Sequence, residues 1–174
     1  VYLVLQVRKG FDWGGIGLRP LNRRHLTAAV ILGICLVGVM EAAEWLLGTS
    51  VSGLVANIVA PQGFSWSGFI GMLLLVGVAT PFCEEVYFRG VLYGWMRGRW
   101  RPAIAIPASA LVFGLSHFYY PLPVMLLVAI LGIIFALAYE RSGSLWAPVG
   151  IHGAYNSAIV VAIYWSLARS GGGV

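Results

Sequence analysis

The chain of 174 residues is 60% hydrophobic and only 10% charged, with a mean hydropathy of +0.88. Soluble domains run at about 25% charged, so this chain has too little polar surface to coat a water-soluble globule and reads as a membrane protein. Its net charge of +5 sits in short loops beside apolar runs, with no Lys/Arg tract interleaved with aromatics; this is the pattern of loops held at a membrane surface, and it argues against nucleic acid as a partner.

Residues 1–25 form an N-terminal segment, an apolar stretch over 1–7 that reads as the end of an upstream span, followed by a basic loop through Arg24 and His25. The core follows at 26–170, with apolar runs over 26–47, 68–96, 102–118, 122–139 and 145–168. A helix needs about 20 residues to cross about 30 Å of hydrocarbon. The second run exceeds that and predicts a tilted or kinked helix. The third and fourth are short and would lean on neighbours in a cavity-containing bundle. Cys35 and Cys83 lie in apolar runs without metal-ligand spacing and are expected as small core residues. Glu41 and Glu44, near the end of the first run, are expected on a solvated or lipid-interface face, or lining a substrate entrance. Pro81 interrupts the second run, removing a backbone donor and freeing the carbonyl of Gly77. Glu140 and Arg141 mark the end of the fourth run, and the glycines at 171–173 a disordered tail.

Basic residues cluster between Arg8 and Arg24, between Arg97 and Arg101, and at Arg141, whereas the alternate connections at 48–67 and 119–121 carry no charge. With five spans, all the basic places fall on one side, which the positive-inside rule makes cytoplasmic. Trp45, Trp66, Tyr119, Tyr120 and Trp165 mark one membrane rim, and Trp95, Trp100 and Trp146 the other.

The polar residues inside the runs carry the chemistry. A charged side chain at the centre of a span costs about 2.5–3.5 kcal/mol on insertion scales, so Glu84, Glu85 and Arg89 within one helix are expensive unless they face a polar cavity. Glu85 and Arg89 are four apart and share a helical face, where they can pair; Glu84 points about 100° away, without that partner. Phe113 and His117 are four apart on the third run, and His152 and Asn156 four apart on the fifth, both of the latter able to donate hydrogen bonds to a developing oxyanion. At 1.5 Å per residue, Glu84 and His117 lie roughly 18 and 22 Å from the loop joining their helices, and His152 and Asn156 roughly 10 and 16 Å into the fifth. Separate interhelical hydrogen bonds could explain each group; one shared site explains all of them.

Glu-Glu-x-x-x-Arg at 84–89, Phe-x-x-x-His at 113–117 and His-x-x-x-Asn at 152–156, each in an apolar helix, resemble the CAAX prenyl endopeptidase and bacteriocin-processing (CPBP, or Abi) family of intramembrane metalloproteases. The lead-in over 143–152 is also similar to that family's approach to its last motif, and the resemblance spans about 68–160. It implies an all-α, polytopic transmembrane bundle with a conical or cavity-containing intramembrane active site. Glu84 with His117 would activate a water, His152 and Asn156 would stabilise the oxyanion, and Glu85, Arg89 and Phe113 would support the site. Glu84, His117 and His152 could alternatively hold a divalent metal such as zinc with an open position for water; a metal-free Glu–His pair is equally consistent. The expected substrate is a membrane-associated or prenylated peptide or protein, reached from the cytoplasmic side of a prokaryotic plasma membrane.

Two other classes compete with this reading. One is a non-catalytic binding or bacteriocin self-immunity protein that keeps the pocket. The other is a small proton-coupled carrier, since membrane acids and histidines also mark ion paths; a carrier would be expected to show repeat symmetry, and the sequence has none.

Overall fold

A computed structural model describes residues 14–49 and 52–170. The apolar segment over 1–7, the basic residues Arg8 and Lys9, and the glycines at 171–173 lie outside the described residues. The described chain is helical, and we number its helices α1 (Arg23–Leu46), α2 (Ser52–Val59), α3 (Trp66–Arg97), α4 (Pro102–Leu115), α5 (Leu122–Ser142) and α6 (Trp146–Arg169). Three of them, α1, α3 and α5, are long and apolar enough to cross a membrane. Helix α4 has 14 residues, fewer than a full span needs. Helix α6 is as long as α1, with 24 residues, but carries His152, Asn156 and Ser157 along its length.

The helix ends follow from local chemistry. Asn22 caps α1, its side-chain oxygen accepting from the Arg24 amide at 2.9 Å, and Ser65 caps α3 by accepting from the Gly68 amide at 3.1 Å. Pro102 stands in the first turn of α4, where its missing N–H costs nothing. Gly143 ends α5 in the left-handed region.

Small residues set the packing. In α1, a Cβ on Gly33 would lie 2.2 Å from the Ile151 carbonyl oxygen, and Gly150 of α6 lies against Leu26 and Ala29. Numbering rises together in these contacts, so α1 and α6 run parallel in close contact. Gly114 lies against Ala129 while Gly132 lies against Ala110, making α4 and α5 an antiparallel hairpin. Gly68 meets Tyr164 and Gly77 meets Ser157, so α3 is antiparallel to α6.

These directions give the bundle two distinct ends. Arg23, Arg24, Arg97, Arg99, Arg101 and Arg141 gather at one, as the loop charges predict. Among the described residues Arg169, at the end of α6, is the basic residue placed at the other. Large apolar side chains cover the outside, including Ile31, Ile34, Val39, Leu74 and Val78, each more than half exposed; a continuous apolar exterior of this kind suits lipid and not water. Cys35 and Cys83 also lie on the exposed surface and not in the core, because in a lipid-facing bundle a small apolar residue gains nothing by turning inward.

Candidate active site

The site begins with a defect in α3. Pro81 cannot donate to the preceding turn, and the helix answers by widening into π-helical turns over Leu75–Ala79 and again over Val86–Tyr93, on either side of Thr80–Glu85. Such turns recur at functional sites because they leave carbonyls free and re-aim side chains. The freed groups are taken up by α6: the Asn156 amide donates to the Val76 carbonyl at 3.1 Å, and the Ser157 hydroxyl lies 3.5 Å from the Gly77 carbonyl. Gly77 is required for this approach, since a Cβ there would stand 2.4 Å from the Ser157 oxygen. Proline in the sequence signals the break, but not its extent or the partner that Asn156 becomes.

The two adjacent glutamates divide as the helical angle predicts. Glu85 is fully buried and accepts from the Arg89 guanidinium at 3.0 Å. Arg89, itself 1% exposed, gives a second hydrogen bond to the Gly132 carbonyl at 3.0 Å. Its charge lies over the rings of Phe113 at 4.5 Å and Phe135 at 5.2 Å, where the aromatic quadrupole favours a cation. Phe113 thus supports the guanidinium from α4. A buried ion pair is retained only where hydrogen bonds and neighbours compensate its desolvation, and this one has both.

His152 joins the same carboxylate from α6, its Nδ1 lying 2.9 Å from Glu85 Oε1. An ionised carboxylate only accepts, so the proton is assigned to Nδ1, which leaves Nε2 facing outward. Nε2 lies 3.9 Å from Glu84 Oε2, too far for a direct hydrogen bond. The ring is held by Phe135, stacked at 4.8 Å and 19°. Phe135 carries no polar signal and falls outside the sequence motifs; sequence reasoning missed it for that reason.

Glu84 is the unspent member. Its side chain is 28% exposed, and its Oε2 is buried without a hydrogen-bond partner. Buried carboxylate oxygens are rarely left so. Glu85 Oε2 is also unpartnered, but Glu85 has its other oxygen in two hydrogen bonds.

Glu84, Phe113, His117, His152 and Asn156 all line one cavity of about 530 Å³. Glu85 and Arg89 form its buried backing. His117, beyond the end of α4, turns its Nδ1 to the Phe113 carbonyl at 2.9 Å and stacks against Tyr120. Burial raises the Tyr119 and Tyr120 hydroxyls above the ordinary tyrosine range, so both stay protonated donors at neutral pH. Glu41 and Glu44 also line this cavity.

Among the described residues, no three His, Cys, Asp or Glu side chains converge as a metal-binding group. Glu84 and His152 approach each other, but His117 is drawn to its own helix carbonyl and does not complete the set with them. The arrangement therefore does not fit a ready three-ligand metal site.

Fold and site together define an integral membrane helical bundle with a largely apolar cavity between its helices, into which Glu84, His117, His152 and Asn156 are set. The family model for type II CAAX prenyl endopeptidase Rce1-like proteins matches residues 66–158, from the start of α3 to just beyond Asn156, and the chain belongs to that family. It is 28% identical over 90 residues to a protein of Bacillus subtilis (strain 168) described as "Putative membrane peptidase YdiL". That match covers 52% of this chain and 36% of the relative, so the chain spans little more than a third of the relative's length. No solved structure matches the chain.

Proposed function

We propose that the protein is an intramembrane endopeptidase that hydrolyses a peptide bond in a membrane-associated peptide or protein, with Glu84 as the base that activates water. The observation that carries this reading is Glu84 in the cavity lining, its side chain 28% exposed, with Oε2 unpartnered and 3.9 Å from an imidazole nitrogen. A base has to be free to take a proton, and Glu84 is free in a way that Glu85 is not.

In the proposed reaction Glu84 takes a proton from water as the water oxygen attacks the scissile carbonyl carbon. The carbonyl oxygen becomes an oxyanion. Asn156 spends one amide hydrogen on Val76 and has a second to give. His152, held by Glu85, supports that charge through Nε2 when protonated there. Glu84 then returns its proton to the leaving amine, giving a free acid and a free amine. His117 assists Glu84 from the outer side of the cavity. No step is routed through a metal, because the residues present do not assemble a ligand set. Prenylated Cys-a-a-X tails, expected from the resemblance, are one candidate substrate class.

The test is cleavage by the purified, detergent-solubilised protein of a panel of membrane-anchored and prenylated peptides, wild type beside Glu84→Ala, with and without chelator. General bases contribute about 100- to 10,000-fold, and a loss in that range is expected for the variant. Cleavage that persists in Glu84→Ala would overturn the assignment. Peptide binding that survives loss of both Glu84 and His117, with no cleavage by the wild type, would favour a non-catalytic binding or self-immunity role.

A further inference from the structure

The described cavity does not reach both ends of the bundle. Its deepest residues are Glu84, Phe135 and His152. From there its lining runs only towards the end that carries Glu41 and Glu44 of α1, Tyr119 and Tyr120 after α4, and Ser166 of α6. No lining residue comes from the last turns of the helices at the basic end.

The basic end is closed by a separate construction. A turn at residues 14–17 is tied across the ends of α5 and α6: the Leu145 amide donates to the Gly17 carbonyl at 2.7 Å, the Ser144 hydroxyl to the Arg19 carbonyl at 2.6 Å, and the Tyr139 hydroxyl to the Ile16 carbonyl at 3.1 Å. Ile16 is 2% exposed, set against Gly90 and Leu145. Beneath it Tyr93, Met96, Ile106 and Ala136 form a buried apolar layer, and Arg97 and Tyr93 both donate to Glu140. The buried Glu85–Arg89 pair lies between this layer and the cavity. A peptide approaching from the basic end would have to displace all of it.

The sequence expectation placed the basic loops and the entrance on the same, cytoplasmic side. The structure places them at opposite ends. Basic ends are retained in the cytoplasm, so we propose that the site takes its substrate from the extracytoplasmic side. The substrate class is then a polypeptide segment that reaches the membrane from outside or has already been translocated, which removes cytoplasmic prenylated tails from the candidates named above. This rests on the protease reading for the word substrate, but the direction of access can be measured without any activity.

The experiment is thiol labelling of the full chain in its native membrane, with Cys35→Ala and Cys83→Ala as background. Single cysteines go at the cavity mouth (Ile58→Cys), on the basic loop (Arg99→Cys) and in the seal (Ile16→Cys). A membrane-impermeant maleimide is applied to intact cells and to inverted vesicles. Ile58 lines the cavity and is 52% exposed; Arg99 is exposed on the basic loop. The expected result is labelling of Ile58→Cys in cells only, of Arg99→Cys in inverted vesicles only, and of Ile16→Cys in neither until the protein is denatured. The reverse pattern for the first two, or labelling from both faces, would overturn the proposal. Ready labelling of Ile16→Cys in inverted vesicles would overturn the seal. None of these readouts depends on cleavage, so a failure here is distinct from persistence of cleavage in Glu84→Ala.

Discussion

The two ends of this bundle solve opposite problems with similar residues. Glu140 at the basic end is matched by Arg97 and Tyr93, and the strap that carries the buried Ile16 is tied to the helix ends there by its own hydrogen bonds. On the other side of the bundle's middle a cavity opens, bordered at its floor by Glu84 and nearer its mouth by His117. Between them Glu85 is matched on one oxygen by Arg89 and His152. The difference teaches that an ionisable residue in a membrane helix is informative through its partners. Matched charges hold helices together; the one left unmatched beside a cavity is where chemistry can occur.

The comparison can be broken first at the matched layer. Arg89→Met leaves the buried Glu85 carboxyl group with only His152 beside it. Breaking a buried pair by removing one partner costs about 3–5 kcal/mol, so this variant should unfold at much lower temperature in detergent than wild type. An unchanged unfolding temperature would show that the pair does not hold the layer.

A smaller loss is expected for Asn156→Ala. It orphans the Val76 carbonyl in the widened turn, and an unsatisfied buried group costs about 1–3 kcal/mol. Turnover should fall as well, because the same amide is proposed to serve the oxyanion. A variant that loses turnover with no loss of stability would separate the two roles and remove the structural one.

The smallest effect belongs to Arg97→Gln. Its salt bridge to Glu140 is about one-third exposed, and pairs of that kind contribute little, while the strap over the basic end keeps its own hydrogen bonds. Its unfolding temperature should stay closer to wild type than that of Asn156→Ala. A larger drop would mean that the basic end is held by charge and not by the strap.

Much of the site could be read from the sequence because helical spacing is rigid. Glu85 and Arg89, four apart, had to share a face, and Glu84 had to leave it. The helical bundle and the basic end followed from run lengths and loop charges. The π-helical turns did not follow, since Pro81 reports a missing donor but not how many residues the helix uses to absorb it. Phe135 was invisible because an aromatic under an imidazole looks like any core residue in a sequence. The burial of Ile16 was equally hidden: its contacts lie more than seventy residues away, at Gly90 and Leu145, and no local pattern encodes them. The side on which the cavity opens depends on where all the helices end together, which spacing within any one of them does not reveal.

The most direct test of the division between the adjacent glutamates is the unfolding temperature of Glu84→Gln measured beside its peptide cleavage. The account predicts a wild-type unfolding temperature with cleavage reduced by about 100-fold or more. A variant that still cleaves at the wild-type rate, or one that loses cleavage only because it unfolds, would contradict it.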